Sequence, residues 1–313
     1  MIQIYADGAI IYDSRLEEYD LRGLRVTRGL NKGGTAEITL PPGHPAYTSF
    51  TSYKTVVEIR QDGRLKFRGR ALYPMDTYDN QRTVVCEGEL CFLQDAVCRP
   101  YLFQASPEVV FSDLINIYNG QVESFKQFVL GSVTVTDPNN YVRLESESAE
   151  PVLTVVQKLL DRCGGYIVFT TAANGKRVIN WMESVGRKSS QAIELGENLL
   201  DLTRTGANTD LATGILPYGA LLGTGTSGKR VTIESVNNGL DYIVDEEAVA
   251  LRGTIIKPMF YDDVTTPLNL LRRAQQDLEA HRLIITSLEL TALDLAVVDK
   301  TIDSYEPGDL IRV

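Results

Sequence analysis

Gly196-Glu197-Asn198-Leu199-Leu200-Asp201-Leu202-Thr203-Arg204 opens the stretch that decides the fold, and Leu211-Ala212-Thr213-Gly214-Ile215-Leu216-Pro217-Tyr218-Gly219 closes it. The opening half reads as a turn that feeds a strand. A polar crossing follows, Gly206-Ala207-Asn208-Thr209-Asp210. The closing half is an apolar run stopped by Pro217-Tyr218-Gly219. The pattern is two short strands with a connection between them, and none of its residues is an obvious catalyst.

Upstream, residues 1–100 read as β. Strands are predicted over 2–6, 9–12, 19–29, 35–40, 54–61, 65–73 and 82–93, punctuated by turns at Asp7-Gly8, Lys32-Gly33-Gly34 and Asp62-Gly63. Asp-Gly between two apolar-alternating runs is a strong hairpin signal. Many short, closely spaced strands predict a small barrel or sandwich.

Residues 101–195 change character. Ser106-Pro107-Glu108 is a helix start, and the apolar residues Val109, Val110, Leu114, Ile117 and Tyr118 follow until Gly120. A second helix is predicted from about Ala149 to Cys163, with Val152, Val155, Val156, Leu159, Leu160 and Cys163 on one face and Gly164-Gly165 at its end. A hairpin around Asn174-Gly175 completes this α+β segment. Residues 196–313 return to β with one inserted helix, from Thr266-Pro267 to near Arg282. The closing strands are expected at Ile284–Leu290 and Asp309–Val313, with a turn at Glu306-Pro307-Gly308-Asp309. The last residues fall inside or at the edge of a β-like segment, which reads either as the N-terminal part of a longer protein or as a chain lacking the C-terminal extension usual in its relatives.

Three segments, in this order, resemble one family. Val56-Val57-Glu58-Ile59 through Phe67-Arg68-Gly69-Arg70 is similar to its first hairpin. Cys86-Glu87-Gly88-Glu89-Leu90 through Phe92-Leu93-Gln94-Asp95 is similar to its next element. The 196–219 stretch resembles its third signature. The family is that of prophage tail proteins forming the hub at the tip of siphophage tails, the "prophage endopeptidase tail" proteins or tail-associated lysins. The resemblance implies an α+β, mainly β fold: a barrel-like module over 1–100, a smaller α+β domain over 101–195, and a second β-rich module over 196–313. It implies a structural role at a tail tip or baseplate hub, as a homotrimeric ring closing the tail tube. The expected partners are the distal tail protein, the tail tube and the tape-measure protein, with transient passage of DNA that is not specifically bound. The location implied is the virion, after assembly in the bacterial host cytoplasm. In this family the peptidase lies C-terminal to the hub region, so the enzymatic label does not transfer.

Charge and composition fit that role. Residues 1–100 carry 13 basic and 13 acidic side chains and residues 101–313 carry 18 and 28, which places the whole net charge of −10 in the second stretch. That balance argues against a dedicated DNA-binding surface, because phosphate binding needs clustered Lys and Arg. No run of about 18 apolar residues predicts a membrane helix, and the N-terminus lacks the pattern of a signal peptide. Cys86, Cys91, Cys98 and Cys163 have no zinc-site spacing and read as buried thiols.

The candidate chemistry is sparse. Gly223-Thr224-Gly225-Thr226-Ser227-Gly228-Lys229-Arg230 matches Gly-x4-Gly-Lys, yet Arg230 stands where a phosphate loop needs Ser or Thr, and Val231–Val236 alternates like a strand. The only histidines are His44, in a loop, and His281, at a helix end. The carboxylate pairs Glu17-Glu18, Glu246-Glu247 and Asp262-Asp263 read as solvated turns. No catalytic, cofactor-binding or metal-binding residue is assigned, and no cofactor is expected. Two alternatives stand beside the hub: a tail-tip enzyme degrading the cell wall, and a saccharide-binding module built on tyrosines, with Trp181 as its reporter.

Overall fold

The computed structural model describes residues 1–16, 20–205, 211–222, 229–282 and 287–313. It begins with β1 (Ile2–Ala6), β2 (Ala9–Asp13), β3 (Gly23–Thr27), β4 (Thr35–Leu40), β5 (Val56–Gln61), β6 (Arg64–Asp76) and β7 (Arg82–Gly88). These form one antiparallel sheet in the order β2-β1-β5-β6-β7-β4-β3. The predicted hairpins are present. Asp7-Gly8 and Asp62-Gly63 all have positive φ, the geometry that lets a two-residue turn follow the twist of its strands. Alternation then sorts the side chains. Ile4, Ala36, Ile38, Leu40, Val57, Ile59, Phe67, Ala71, Val84 and Cys86 share one core. β2 and β3 remain edges, so the expected barrel is an open, curled half-barrel.

The strand predicted over 82–93 stops at Gly88. Glu89–Asp95 is a 3-10 helix that buries Glu89, Leu90, Phe92 and Leu93. That spacing is helical, and an alternating strand could not bury all of these on one side.

Next come β8 (Val97–Cys98), β9 (Tyr101–Ala105), α1 (Pro107–Asn119), β10 (Val129–Val133), β11 (Val142–Ser146), β12 (Glu150–Pro151), α2 (Val152–Cys163), β13 (Tyr166–Thr171) and β14 (Arg177–Met182). α1 starts and stops where its proline and glycine predict. α2 starts three residues later than expected, because Glu150 and Pro151 pair with Cys98 and Val97 across β8. β10, β14 and β13 form a three-stranded sheet in that order, with the β13–β14 hairpin antiparallel and β10 parallel to β14. Asn31, in the turn between β3 and β4, joins this sheet to the first one. Its side chain accepts from Ile167 N at 2.9 Å and donates to Gly165 O at 2.9 Å.

The rest comprises β15 (Leu199–Thr205), β16 (Gly214–Tyr218), β17 (Leu221–Leu222), β18 (Lys229–Arg230), β19 (Ile243–Val244), α3 (Glu246–Arg252), β20 (Ile256–Phe260), α4 (Pro267–His281) and β21 (Ser287–Ala292). β15 pairs with β21, β17 with β18, and β16 lies between β19 and β20. The helix α3 was not foreseen, although Asp245 caps it and Gly253, at φ 81°, ends it. Val231–Val236 departs from the expected strand. Val231 and Ile233 are buried, but the backbone turns into a short 3-10 helix at Glu234–Val236. The predicted last strand is a single bridge, Lys188 to Leu310, followed by a bond from Ile193 N to Arg312 O. The Glu306–Asp309 turn forms as predicted, with Gly308 at φ 95°.

Two compact units result. One comprises Met1–Leu102, Glu108–Val135 and Leu144–Gly186; the other comprises Phe103–Pro107, Thr136–Arg143 and Arg187–Val313. Among the described residues, no helix is long and apolar enough to cross a membrane.

Candidate functional site

The first two resemblance segments meet in space. β6 carries Phe67, Gly69 and Ala71 toward the half-barrel core, so Arg68 and Arg70 project from the opposite face. There they meet Glu87 on β7 and the helix Glu89–Asp95. Arg68 Nε donates to Glu89 Oε1 at 2.8 Å, and Arg177 Nε of β14 lies 3.4 Å from the same oxygen. Arg70 Nε donates to Glu87 Oε1 at 2.8 Å, and its two terminal nitrogens grip the Asp95 carboxylate, one of them at 2.9 Å. Lys126 Nζ reaches Asp95 Oδ2 at 3.1 Å. The Phe92 ring takes the Arg70 and Arg177 guanidiniums at 5.0 and 5.1 Å from its centroid.

This network is buried. The Arg68 and Glu89 side chains are 4% and 5% exposed. Burial pushes the Glu89 carboxyl above its ordinary value, and the Arg68 and Arg177 charges oppose that rise. Burial would also raise the Asp95 carboxyl, but the hydrogen bonds from Arg70 and Lys126 outweigh it and hold Asp95 low. Burial pulls the Arg177 guanidinium down, against the Glu89 charge. The glycines between these residues are contact points. A Cβ on Gly69 would stand 2.0 Å from Glu87 O, and one on Gly88 would stand 1.7 Å from Gly33 O. The charged pairs and the glycines of the motifs therefore belong to one clamp, which packs the 3-10 helix and the β13–β14 hairpin onto the sheet.

The third segment behaves similarly in its own unit. Asn198, buried, accepts from Glu194 N at 2.9 Å and donates to Ala192 O at 3.0 Å and Tyr305 Oη at 3.2 Å. Thr213, also buried, donates to Gly253 O at 3.0 Å and accepts from Ile255 N at 2.7 Å. These side chains replace backbone partners where the chain turns.

The other sequence candidates are dispersed. Gly223–Gly228, Glu17-Glu18 and Gly206–Asp210 lie outside the described residues. Arg230 donates to Gly219 O at 2.8 Å and to Asp262 at 2.5 Å. His44 is buried, with Nδ1 accepting from Ala46 N at 3.0 Å, and burial lowers its pKa. His281 ends α4. Glu246-Glu247 forms the first turn of α3. Trp181 is fully buried, 5.4 Å from the Phe111 ring, and donates to Gly164 O at 3.1 Å. It therefore cannot stack on a sugar. Cys86, Cys98 and Cys163 are buried free thiols and Cys91 is partly buried; burial pushes Cys86 up to about 12. Among the described residues, no group of three or more His, Cys, Asp and Glu is placed to hold a metal ion.

Clefts open on the surface of the described residues, two of them well formed. One, of about 480 Å³, lies beside the clamp and is lined by residues of β5, β6, the 124–129 segment and the Asn174–Arg177 turn. The other, of about 650 Å³, lies between β19 and α4 in the second unit.

The fold is that of prophage tail proteins. It matches the 43 kDa tail protein of prophage MuSo2 from Shewanella oneidensis with a TM-score of 0.61 at 14% identity, over 99% of this chain and 87% of that one. Prophage tail protein gp18 from Listeria monocytogenes EGD-e matches at 0.60 and 17% identity, over 92% and 79% of the two chains. The tail protein from Neisseria meningitidis MC58 matches at 0.58 and 9% identity, over 99% and 85%. Residues 187–313 match the Prophage endopeptidase tail family, in agreement with the resemblance read in the sequence. No curated protein matches the chain in sequence.

Proposed function

We propose that this chain is a structural component of a phage or prophage tail tip, a baseplate-hub protein located in the virion. It forms a homotrimeric ring that closes the tail tube and opens for DNA. The observation that carries this reading is the agreement between the fold, which follows prophage tail proteins over 99% of the chain, and the family match at residues 187–313. The role is mechanical, with no catalytic step. The clamp supports it, because it spends the charged residues of the motifs on internal contacts. The unpaired edges β2 and β3 are suited to a heterologous ring interface, in which one edge of a copy meets a different edge of the next. The surplus of carboxylates beyond residue 100 keeps phosphates from adhering as DNA passes.

The test is the mass in solution, by light scattering after size exclusion across a concentration range. A species near three times the 34.7 kDa chain mass is expected. A monomer at every concentration, also in the presence of the distal tail protein, refutes the ring.

A further inference from the structure

The ribbon β15–β21 is patterned for burial. On one side of the pair Leu202 stands opposite Leu290 and Arg204 opposite Leu288; on the other side Asp201 stands opposite Thr291 and Thr203 opposite Glu289. Sorting of this kind belongs to an antiparallel pair with one face packed and one face in water. Leu202 and Leu288 are nevertheless 48% and 46% exposed, and none of the described side chains of either strand is buried. Two strands alone are marginally stable in water, so the leucine side requires a cover. A second uncovered face lies in the other unit. On the outer side of the first sheet Tyr73 stands beside Val85 and Glu37, and Met75 beside Thr83 and Thr39. These residues alternate with the core residues Val84, Cys86, Ala36 and Ile38, and so point away from the core. Tyr73 and Met75 are 51% and 46% exposed. Each face also holds an exposed charge, Arg204 on the ribbon and Glu37 on the sheet, and neither makes an ion pair among the described residues.

We propose that the leucine side of the ribbon in one copy of the chain packs on the Tyr73–Met75 face of the next copy, with Arg204 of the one against Glu37 of the other. The occupant is a second copy because the chain itself carries both halves of the contact, two uncovered apolar sheet faces with charges of opposite sign. Sheet faces pack with their side chains interdigitated. A ribbon of six-residue strands offers a face of only about 200 Å², against about 800 Å² per partner in a stable interface. The contact is therefore one part of a larger interface. The Tyr73–Met75 face runs on through β4 to β3, one of the edges suited to the ring, so the two contacts are continuous on the sheet. Both are heterologous, one surface meeting a different one, as a closed ring requires. The inference rests on the reading that the chain self-assembles and does not depend on the number of copies.

The test uses the full chain, with assembly read by light scattering across a concentration range. Arg204→Glu and Glu37→Arg are each expected to raise the concentration needed for assembly about tenfold, and the two together to restore the parent's behaviour. Thr203→Lys, on the other side of the ribbon, is expected to leave assembly unchanged. Urea midpoints are expected to match the parent's, because all three side chains are exposed. In the parent, amide hydrogen exchange is expected to slow at Leu202–Arg204 and at Tyr73–Met75 together as the concentration rises. Rescue by the double variant in an assembly other than a trimer supports the contact and refutes the threefold ring. A trimer indifferent to both single reversals, or single losses that the double variant fails to recover, overturns the contact and leaves the ring standing. A chain that stays monomeric throughout overturns the contact as well. Ribbon amides that slow only when the distal tail protein is added assign the leucine side to that protein instead, and the proposal falls.

Discussion

Arg68 and Glu89 show what a charged pair does when the fold closes over it. Replacing Arg68 with alanine leaves Glu89 in a nearly solvent-free site with only Arg177 for compensation, 3.4 Å away. The expected loss is about 3–5 kcal/mol, read from the midpoint and slope of urea unfolding. Asp95 makes the complementary case. Its folded carboxyl is held low, so its contribution is fully present above the unfolded pKa and fades as pH falls through the folded one. Asp95→Asn is therefore expected to flatten the decline in stability below about pH 4 while leaving neutral-pH folding cooperative, which urea titrations between pH 3 and 6 would resolve. Asn198→Leu leaves Glu194 N without its side-chain acceptor and takes one donor from Ala192 O and from the Tyr305 hydroxyl, which still bond each other at 3.2 Å, at a cost of about 1–3 kcal/mol by the same measurement. None of this clamp was visible from sequence chemistry alone. Arg68 and Arg70 alternate with Phe67, Gly69 and Ala71, which reads as a wet outer face. Only the packing of the 89–95 helix and the 166–182 hairpin onto that face turns it into an interior. The resemblance pointed to the right segments without saying what their charges do.

At the scale of elements, local signals were reliable where the backbone itself demands a residue type. The two Asp-Gly turns, the Ser-Pro-Glu start of α1 and the Pro267 start of α4 all placed their elements correctly. Errors arose where a distant partner decides. Gly88 ends β7 because its backbone lies against Gly33, and Pro151 delays α2 because β12 pairs with β8. The overlooked α3 had a legible signal, Asp245 followed by two glutamates and then Gly253, but at seven residues it is too short for a clear apolar period. Two glycines separate conformational from contact roles. Gly63 has φ 77° and open space around a hypothetical Cβ, so Gly63→Ala carries only the left-handed penalty, about 1 kcal/mol. Gly88 has an ordinary φ of −79° yet no room, so Gly88→Ala forces two backbones apart and is expected to cost more than about 2 kcal/mol. Thermal midpoints of the two variants would rank them, and equal losses would show that the sheet yields at Gly88.

For the molecule as a whole, the open sheet sets the next question, because a half-barrel with two free edges invites a neighbour. Ile10 stands on the edge strand β2, is 41% exposed and faces Tyr5 across the pair. If the proposed ring closes through that edge, Ile10→Lys places a charge where the next copy must pack. The trimer is then expected to dissociate to monomers at concentrations where the parent chain stays assembled. Because Ile10 lies outside the buried core, the urea midpoint of the monomer is expected to stay within about 0.5 kcal/mol of the parent's. A variant that keeps the parent's assembled mass removes β2 from the interface and leaves β3 as the edge to examine. A variant whose midpoint collapses together with its mass instead identifies Ile10 as part of the fold, and the ring must then be tested from the β3 side, at exposed Arg25.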